Sequence, residues 1–156
     1  MKQEDDSRYD ALKLENQLCF PLYACARITI KLYKPFLDKL DLTYTQYITM
    51  MVLWERQSLT AKELGDILFL DSGTLTPLLK KMESKGLLTR KRSAEDERSL
   101  IITITEAGMA LREQAVTVPE GMKACLTIPP EEALALYRTL YRMLDREDQI
   151  PAAYRA

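Results

Sequence analysis

The fold of this chain is decided by residues 60–86, which run TAKELGDILFLDSGTLTPLLKKMESKG. Thr60 and Glu63 have the spacing of a capping box, in which each side chain satisfies an amide at the start of a helix. A short apolar helix follows over Leu64–Leu68, and Asp71 then offers the cap for a second helix. The stretch therefore predicts two helices joined by a tight turn.

The second predicted helix runs from Asp71 and Ser72 to about Lys85, and Gly86 ends it. Apolar residues recur at helical spacing and predict a buried stripe: Leu75, Leu78, Leu79 and Met82. The opposite face carries small hydroxyl groups and one cation: Ser72, Thr74, Thr76 and Lys80. Hydroxyl side chains at the start of a helix can approach base edges in a major groove.

Two strands are predicted next, over Leu87–Arg92 and Ser99–Ile104, with a charged tip at Ser93–Arg98. Cations crowd this part of the chain: Lys80, Lys81, Lys85, Arg90, Lys91, Arg92 and Arg98. A solvated helix face beside a polar hairpin would explain the charges alone. The whole order of helix, turn, helix, glycine and hairpin is more specific, and it predicts a winged helix-turn-helix that meets DNA phosphates.

Composition limits the remaining possibilities. The 156 residues are 47% hydrophobic and 29% charged, with a net charge of −1 and no histidine, which predicts one ordinary globular domain. A basic patch must therefore be local, and metal sites or catalytic arrangements that need an imidazole are excluded. Three cysteines without metal-binding spacing, no signal-peptide core and no membrane-length apolar run predict a cytoplasmic protein.

Helices flank the winged region on both sides. After a frayed start of about ten residues, a helical region is predicted from Ala11 to Leu40, with kinks at Pro21 and Pro35. Thr43 caps the next predicted helix, Tyr44 to Glu55, and a short connector at residues 57–59 follows. Tyr47, Ile48, Met51, Val52 and Trp54 are predicted to make that helix mostly buried.

Beyond the hairpin, a helix is predicted from Thr105 to about Val116, with interruptions at Pro119 and Gly121. A last helix begins at residues 129–132 and reaches about Arg146. Its apolar stripe consists of Leu134, Tyr137, Leu140, Tyr141 and Leu144. We expect residues 1–40 and 106–156 to pair two subunits around the winged region, residues 41–105, although packing within one subunit is the alternative.

Three segments together resemble the MarR family of bacterial transcription regulators: LTYTQY at 42–47, DSGTLTPLL at 71–79 and DERS at 96–99. The segment LENQLCFPLYAC at 14–25, with LYKP at 32–35, resembles its organic-hydroperoxide-sensing OhrR branch. The resemblance implies a mainly α, MarR-like fold and a homodimeric repressor that binds palindromic DNA. It places the DNA-reading helix on Asp71–Lys85 and the wing on Arg90–Arg98, where Asp96 orients Arg98 toward the minor groove.

The branch implies that Cys19 is a peroxide-sensing thiol. Tyr33 and Tyr44 match the tyrosines that hydrogen-bond this sulfur, one of them from the other subunit. A thiolate attacks a peroxide oxygen and becomes a sulfenic acid, and phenol hydroxyls can stabilise that thiolate without a histidine. From its position on a helix alone, Cys19 is more simply a buried core thiol, the common fate of a free cysteine.

Two further cysteines could resolve the oxidised sulfur. Cys25 lies six residues beyond Cys19, a rise of ~9 Å on a helix, which is too far for a disulfide. Cys125 lies where two-cysteine members of the branch carry their resolving thiol, and the resemblance implies an intersubunit Cys19–Cys125 disulfide. The alternative is that Cys125 is a packed, unreactive thiol. In that case a small-molecule thiol reacts with oxidised Cys19.

The functional prediction is therefore a repressor without cofactor, metal or enzymatic activity, whose partners are operator DNA, a second copy of the chain and an organic hydroperoxide. Three alternatives remain open at this stage. One is a family member that is released from DNA by a small aromatic ligand, with Cys19 incidental. The second is a thiol peroxidase, which the complete DNA-binding region disfavours. The third is a pure interaction module, which leaves the hydroxyl-rich helix face and the cationic wing unexplained.

Overall fold

The computed structural model describes residues 8–94, 96, 98–151 and 154. Residues 1–7, most of the predicted frayed start, lie outside the described residues, as do Glu95 and Glu97 of the predicted wing tip. The chain divides into two compact units, one ending at Gly121 and the other beginning at Met122. Within the described ranges, every helix is too short or too polar to cross a bilayer.

The first long helix begins later than the sequence predicted. Two 3₁₀ turns, Asp10–Leu12 and Leu14–Asn16, precede helix α1, Cys19–Leu37. The predicted kink at Pro21 is wrong, because this proline lies in the first helical turn, where its missing amide has no helical partner to lose. The helix therefore starts at Cys19 instead of bending at Pro21.

Helix α1 contains Pro35 and leads into a third 3₁₀ turn, Asp38–Leu40. Helix α2, Tyr44–Arg56, follows, and the predicted Thr43 cap is confirmed as a full capping box with Gln46. Tyr47, Met50 and Leu53 point into the core. The predicted burial of Met51 is wrong, since its side chain is 48% exposed and lies about 100° around the helix from Met50.

The winged helix-turn-helix is confirmed. Its elements are β1, Ser58–Thr60; α3, Ala61–Leu68; α4, Ser72–Ser84; β2, Leu88–Arg92; and β3, Leu100–Ile104. The sheet is antiparallel in the order β1-β3-β2. The sequence predicted a two-stranded hairpin with a connector at residues 57–59, and it missed that part of this connector pairs with β3 as a third strand.

The core of the first unit holds the winged elements together. Helix α4 buries Leu75, Leu79 and Met82, so three of the four residues of the predicted stripe are fully buried, and Leu78 is half-buried. Leu64 of α3, Leu88 of β2 and Ile102 of β3 are at most 1% exposed. Each such side chain contributes roughly 1.5–3 kcal/mol by leaving water, which fixes helix α4 against the sheet.

Three short helices follow the sheet: α5, Glu106–Ala110; α6, Arg112–Ala115; and α7, Val118–Cys125. The predicted start at Thr105 is confirmed, because its hydroxyl accepts a hydrogen bond from the Gly108 amide at 3.0 Å. The helix breaks at residues 116–117, next to the predicted interruption at Pro119, which lies in the first turn of α7. The predicted interruption at Gly121 is wrong, since this residue lies inside α7. A Cβ at Gly121 would come within 2.2 Å of the Phe36 ring, so glycine is required for close packing there.

The second unit contains helix α8, Pro130–Met143, which confirms the predicted helix start near residue 129. Tyr137 and Tyr141 of α8 lie with ring centroids 4.6 Å apart, and a hydrogen bond between the two side chains together with burial raises the pKa of Tyr137 to about 12. Arg138 donates from Nε to the carbonyl oxygen of Tyr154 at 2.6 Å. No residue of α8 is fully buried.

Candidate functional site

Helix α4 presents one polar face because its other face is in the core. The Asp71 carboxylate accepts the Thr74 amide at 2.9 Å and the Thr74 hydroxyl at 3.1 Å, and these bonds hold the pKa of Asp71 below its ordinary value. Thr74 is thereby engaged in the cap. Ser72, Thr76 and Lys80 are exposed on the polar face, as the sequence predicted.

The turn before α4 depends on a glycine that the sequence analysis did not single out. A Cβ at Gly65 would lie 2.8 Å from the carbonyl oxygen of Leu70, so a side chain there would push α3 away from the turn. The amide of Leu70 in turn donates to the carbonyl of Gly65 at 2.9 Å. The capping box of Thr60 and Glu63 fixes the other end of α3. Helix α4 is therefore held at a defined angle.

The wing is fastened to α4 through Arg90. Its Nε and Nη2 donate to Glu83 Oε2 at 2.9 and 2.7 Å, and its backbone amide donates to Glu83 Oε1 at 2.9 Å. These bonds hold the pKa of Glu83 below its ordinary value. Arg90, predicted as a DNA-binding residue, is therefore occupied within the protein, while Lys91 and Arg92 of the same strand are exposed.

At the tip of the wing, Asp96 closes the turn through the main chain. The Arg98 amide donates to Asp96 Oδ1 at 3.0 Å, and the Ser99 amide donates to the carbonyl of Asp96 at 2.8 Å. The carboxylate thus sets the direction of Arg98 by fixing its backbone. Both Asp96 and Arg98 are exposed, whereas Glu97 between them lies outside the described residues.

The cations of the predicted patch are of two kinds. Lys85 joins Arg90 in holding the fold, since its Nζ lies 2.9 Å from Asp41 Oδ2 and also donates to the Asp41 carbonyl. Lys80, Lys91 and Arg98 are exposed along α4 and the wing. The surface thus combines anchoring cations with others that face solvent.

Cys19 is the first residue of α1 and is exposed. Cys25 lies on the same helix and is exposed, and Cys125 is the exposed last residue of α7. Within one chain, Cys19 is therefore not part of a core.

The two predicted sensor tyrosines lie side by side in one chain. The ring centroids of Tyr33 and Tyr44 are 4.9 Å apart, and Tyr47 lies 5.9 Å from Tyr33. Burial raises the pKa of all three phenols, and for Tyr33 and Tyr47 neighbouring phenols add to the effect. The hydroxyl groups therefore remain protonated at neutral pH and can act as hydrogen-bond donors.

Within one chain, the thiol and the tyrosine pair do not meet. Cys19 and Tyr33 are fourteen residues apart on the same helix, a rise of ~21 Å. An open groove of about 260 Å³ adjoins Tyr44, with Ile30, Leu37 and Leu42 among its walls. The structure thus brings Tyr33 and Tyr44 together and leaves Cys19 at the far end of α1.

Known proteins that are similar to this chain are transcription regulators. A family model described as transcriptional regulator SarA/Rot matches residues 31–114. The organic hydroperoxide resistance transcriptional regulator of Bacillus subtilis is 51% identical over 140 residues, which is 90% of this chain and 95% of that protein. The chain belongs to the MarR/SarA family of transcription regulators.

Solved structures place this MarR/SarA-family regulator beside AbfR of Staphylococcus epidermidis. The structure of reduced AbfR bound to DNA is 35% identical with a TM-score of 0.72, covering 90% of this chain and 97% of that one. The structure of disulfide-formed AbfR covers 90% and 98%, with 35% identity and a TM-score of 0.60. The structure of overoxidized AbfR bound to DNA is 36% identical with a TM-score of 0.70, so this regulator is similar to AbfR in several redox states.

A contact between Trp54 and Gly108 was not expected from the sequence. Trp54 Nε1 donates to the carbonyl oxygen of Gly108 at 2.9 Å, which ties α2 to the start of α5. The two residues are separated by 54 positions, so no local pattern indicates their contact. The only available signal was that Trp54 is the single tryptophan of the chain.

Proposed function

We propose that this regulator is a redox-sensing transcriptional repressor, which binds palindromic operator DNA as a homodimer and releases it when an organic hydroperoxide oxidises Cys19. One arrangement carries the proposal: a complete winged helix-turn-helix shares its chain with an exposed thiol at a helix start and a half-buried tyrosine pair. The similarity to a regulator of organic hydroperoxide resistance supports the same assignment.

In this proposal, the DNA contacts divide between α4 and the wing. Ser72, Thr76 and Lys80 enter the major groove, where hydroxyl and ammonium groups meet base edges and phosphates. Lys91, Arg92 and Arg98 meet phosphates and the adjacent minor groove. Thr74, Arg90 and Asp96 act indirectly, because their polar groups hold the helix cap, the wing strand and the wing tip.

A second copy of the chain completes the assembly. Six large apolar side chains between residues 14 and 30 are 40–72% exposed: Leu14, Leu18, Phe20, Tyr23, Ile28 and Ile30. A soluble chain seldom leaves such a run in water, and a second copy can bury it. A two-fold dimer presents two α4 helices to half-sites about one helical turn apart, ~34–36 Å.

The sensing site forms between subunits. Since ~21 Å of helix separates Cys19 from Tyr33 in one chain, the sulfur of each subunit meets the tyrosine pair of the other. The resemblance implied one tyrosine from each subunit. The 4.9 Å contact between Tyr33 and Tyr44 supports instead two donors from the same subunit, both opposite the other subunit's thiol.

The chemistry requires only the thiol and the peroxide. The Cys19 thiolate attacks the terminal peroxide oxygen, the O–O bond breaks, and the leaving alkoxide takes a proton to become an alcohol. Cys19 is oxidised to a sulfenic acid as the peroxide is reduced. The apolar groove beside Tyr44 favours a peroxide with an organic substituent.

Release of DNA then requires a large shift between two states. To turn a bound population into a free one, oxidation must favour the free form by about 5.5 kcal/mol. One lost hydrogen bond contributes only ~1 kcal/mol. A disulfide can supply the rest, and exposed Cys125 of the other subunit is the proposed resolving thiol: it attacks the sulfenic sulfur and expels water.

The test is a gel shift with a DNA duplex selected from a random library for binding to the reduced protein. Cumene hydroperoxide should abolish the shifted band, dithiothreitol should restore it, and salicylate should leave it unchanged. Release by salicylate without release by the peroxide would contradict the proposal. Peroxide consumption should stop after stoichiometric oxidation, because we propose that the chain is a sensor and not a peroxidase.

A further inference from the structure

Four aromatic side chains form a continuous row inside the first unit. The ring centroids of Tyr44 and Tyr33 lie 4.9 Å apart, those of Tyr33 and Tyr47 lie 5.9 Å apart, and those of Tyr47 and Trp54 lie 6.2 Å apart. These separations lie within the range of favourable aromatic pairs. We call Tyr44, Tyr33, Tyr47 and Trp54 the aromatic row. It starts at the proposed sensor tyrosines and runs along α2.

The far end of the aromatic row is tied to the start of α5. Trp54 donates its indole N–H to the carbonyl of Gly108, a buried residue of α5. A Cβ at Gly108 would come within 2.2 Å of the carbonyl oxygen of Leu87, so the two backbones are in direct contact. A displacement of Trp54 would therefore be passed to the backbone at Leu87.

That backbone lies just beyond the end of helix α4, the proposed recognition helix, which ends at Ser84. The Thr105 hydroxyl donates to the Gly86 carbonyl at 2.6 Å, and the Thr105 amide donates to the Leu87 carbonyl at 3.1 Å. The Leu87 amide in turn donates to the carbonyl of Met82 in α4 at 3.1 Å. The start of α5 and the C-terminal end of α4 thus form one hydrogen-bonded junction.

A second link joins the same regions but is weaker. Lys85 at the end of α4 pairs with Asp41 in the corner between α1 and α2, yet the Asp41 side chain is 91% exposed. Exposed ion pairs contribute little because water and salt screen them. The hydrogen bond from the Trp54 indole to Gly108 is partly buried and has a fixed direction. It therefore transmits a displacement better than the ion pair does.

We propose that Trp54 is a positioning residue, which transmits the state of the Tyr33–Tyr44 pair through the aromatic row and its bond to Gly108 to the C-terminal end of helix α4. This inference rests on the proposed function. Oxidation of the other subunit's Cys19 disturbs the tyrosine pair, the row shifts, and the indole moves the junction that sets the angle of α4.

The test compares Trp54→Phe with the wild type, because phenylalanine keeps a ring in the row but lacks the N–H donor. Two quantities are measured on the full-length dimer: the extent of Cys19 oxidation by mass spectrometry, and the ratio of operator Kd between oxidised and reduced protein. Trp54→Phe should oxidise as the wild type does, and the reduced form should bind DNA normally. Its Kd ratio should fall about fivefold, which corresponds to ~1 kcal/mol.

Three variants serve as controls. Tyr47→Phe keeps the ring within the aromatic row, so its Kd ratio should equal that of the wild type. Tyr23→Phe changes an exposed tyrosine of α1 outside the row and should also leave the ratio unchanged. Asp41→Asn should change the ratio less than Trp54→Phe. Should Trp54→Phe fail to fold, as judged by urea unfolding, Tyr47→Leu breaks the row at its middle and should lower the ratio in the same way.

The outcomes separate the two proposals. If wild-type protein with fully oxidised Cys19 keeps its operator affinity, the proposed function is wrong, and the inference falls with it. If the wild type releases DNA and the folded Trp54→Phe and Tyr47→Leu variants release it equally well, the inference alone is wrong. If Asp41→Asn lowers the ratio of operator Kd between oxidised and reduced protein and Trp54→Phe does not, the ion pair between Lys85 and Asp41 is the transmitter instead.

Discussion

Glu83 on the recognition helix accepts three hydrogen bonds from Arg90 on the first wing strand, two from the guanidinium and one from the backbone amide. Both oxygens of the carboxylate are used, so the pair fixes distance and direction together. The wing and α4 are thereby held as one surface, although they are joined in sequence only by a glycine turn.

Glu83→Gln should weaken operator binding several-fold while the protein stays folded. Glutamine keeps the size of the side chain, but it loses the charge and one of the oxygens that Arg90 uses. The loosened wing then contacts phosphates less often. Fluorescence anisotropy with labelled duplex measures the change, with Glu55→Gln, an exposed acid on α2, as the matched control. Equal weakening by both variants would show that the bonds between Glu83 and Arg90 are not the cause.

The same pair should give stability a specific dependence on pH. The hydrogen bonds lower the pKa of Glu83 in the folded state, so their contribution is present above the ordinary pKa of the carboxyl group and is lost as pH falls through the folded pKa. The difference in Tm between wild type and Glu83→Gln should therefore shrink between about pH 6 and pH 3. A difference that stays constant over that range would exclude an ionised Glu83 as the cause.

Thr43→Ala should lower the free energy of unfolding by about 1 kcal/mol, the usual cost of losing an N-cap side chain. Thr43 Oγ1 accepts a hydrogen bond from the Gln46 amide, and Oε1 of buried Gln46 accepts one from the Thr43 amide. Thr43→Ser keeps the hydroxyl and should remain close to wild type. Urea unfolding measures both variants, and a serine variant as unstable as the alanine variant would point to lost methyl packing instead.

Local chemistry explains which parts of the fold the sequence could predict. The caps at Thr43, Thr60 and Asp71 and the stripe of α4 were all predictable, because each depends on residues within a few positions of one another. Strand β1 was not, because three residues are too few to distinguish a strand from a connector, and their strand pairing comes from β3, more than forty positions away. Contacts at that distance require the folded chain.

The candidate site could likewise be predicted only in part. The type of each residue in α4 and the wing predicted a DNA surface, but only the structure distinguishes Arg90, bound to Glu83, from exposed Lys91. The motif around Cys19 predicted a thiol and two tyrosines. That the tyrosines pair in one chain, while ~21 Å of continuous helix separates Tyr33 from the sulfur, is known only from the structure.

A mixed dimer tests the arrangement between subunits. One subunit carries Cys19→Ser, and the other carries Tyr33→Phe with Tyr44→Phe. If thiol and tyrosines meet across the interface, this dimer keeps one complete site, and it should oxidise at about half the wild-type rate. If they met within a chain, it would keep none. Homodimers of each parent, which lack every complete site, are the controls, and a mixed dimer as slow as both would contradict the assignment.

The central claim is that the oxidation state of Cys19 controls DNA binding, and one anisotropy experiment tests it most directly. Labelled duplex is bound by reduced wild-type protein or by Cys19→Ser, with Cys25→Ser as a control for another α1 thiol, and cumene hydroperoxide is added. Wild type and Cys25→Ser should release the duplex, and Cys19→Ser should stay bound. Release by Cys19→Ser at the wild-type rate would contradict the account.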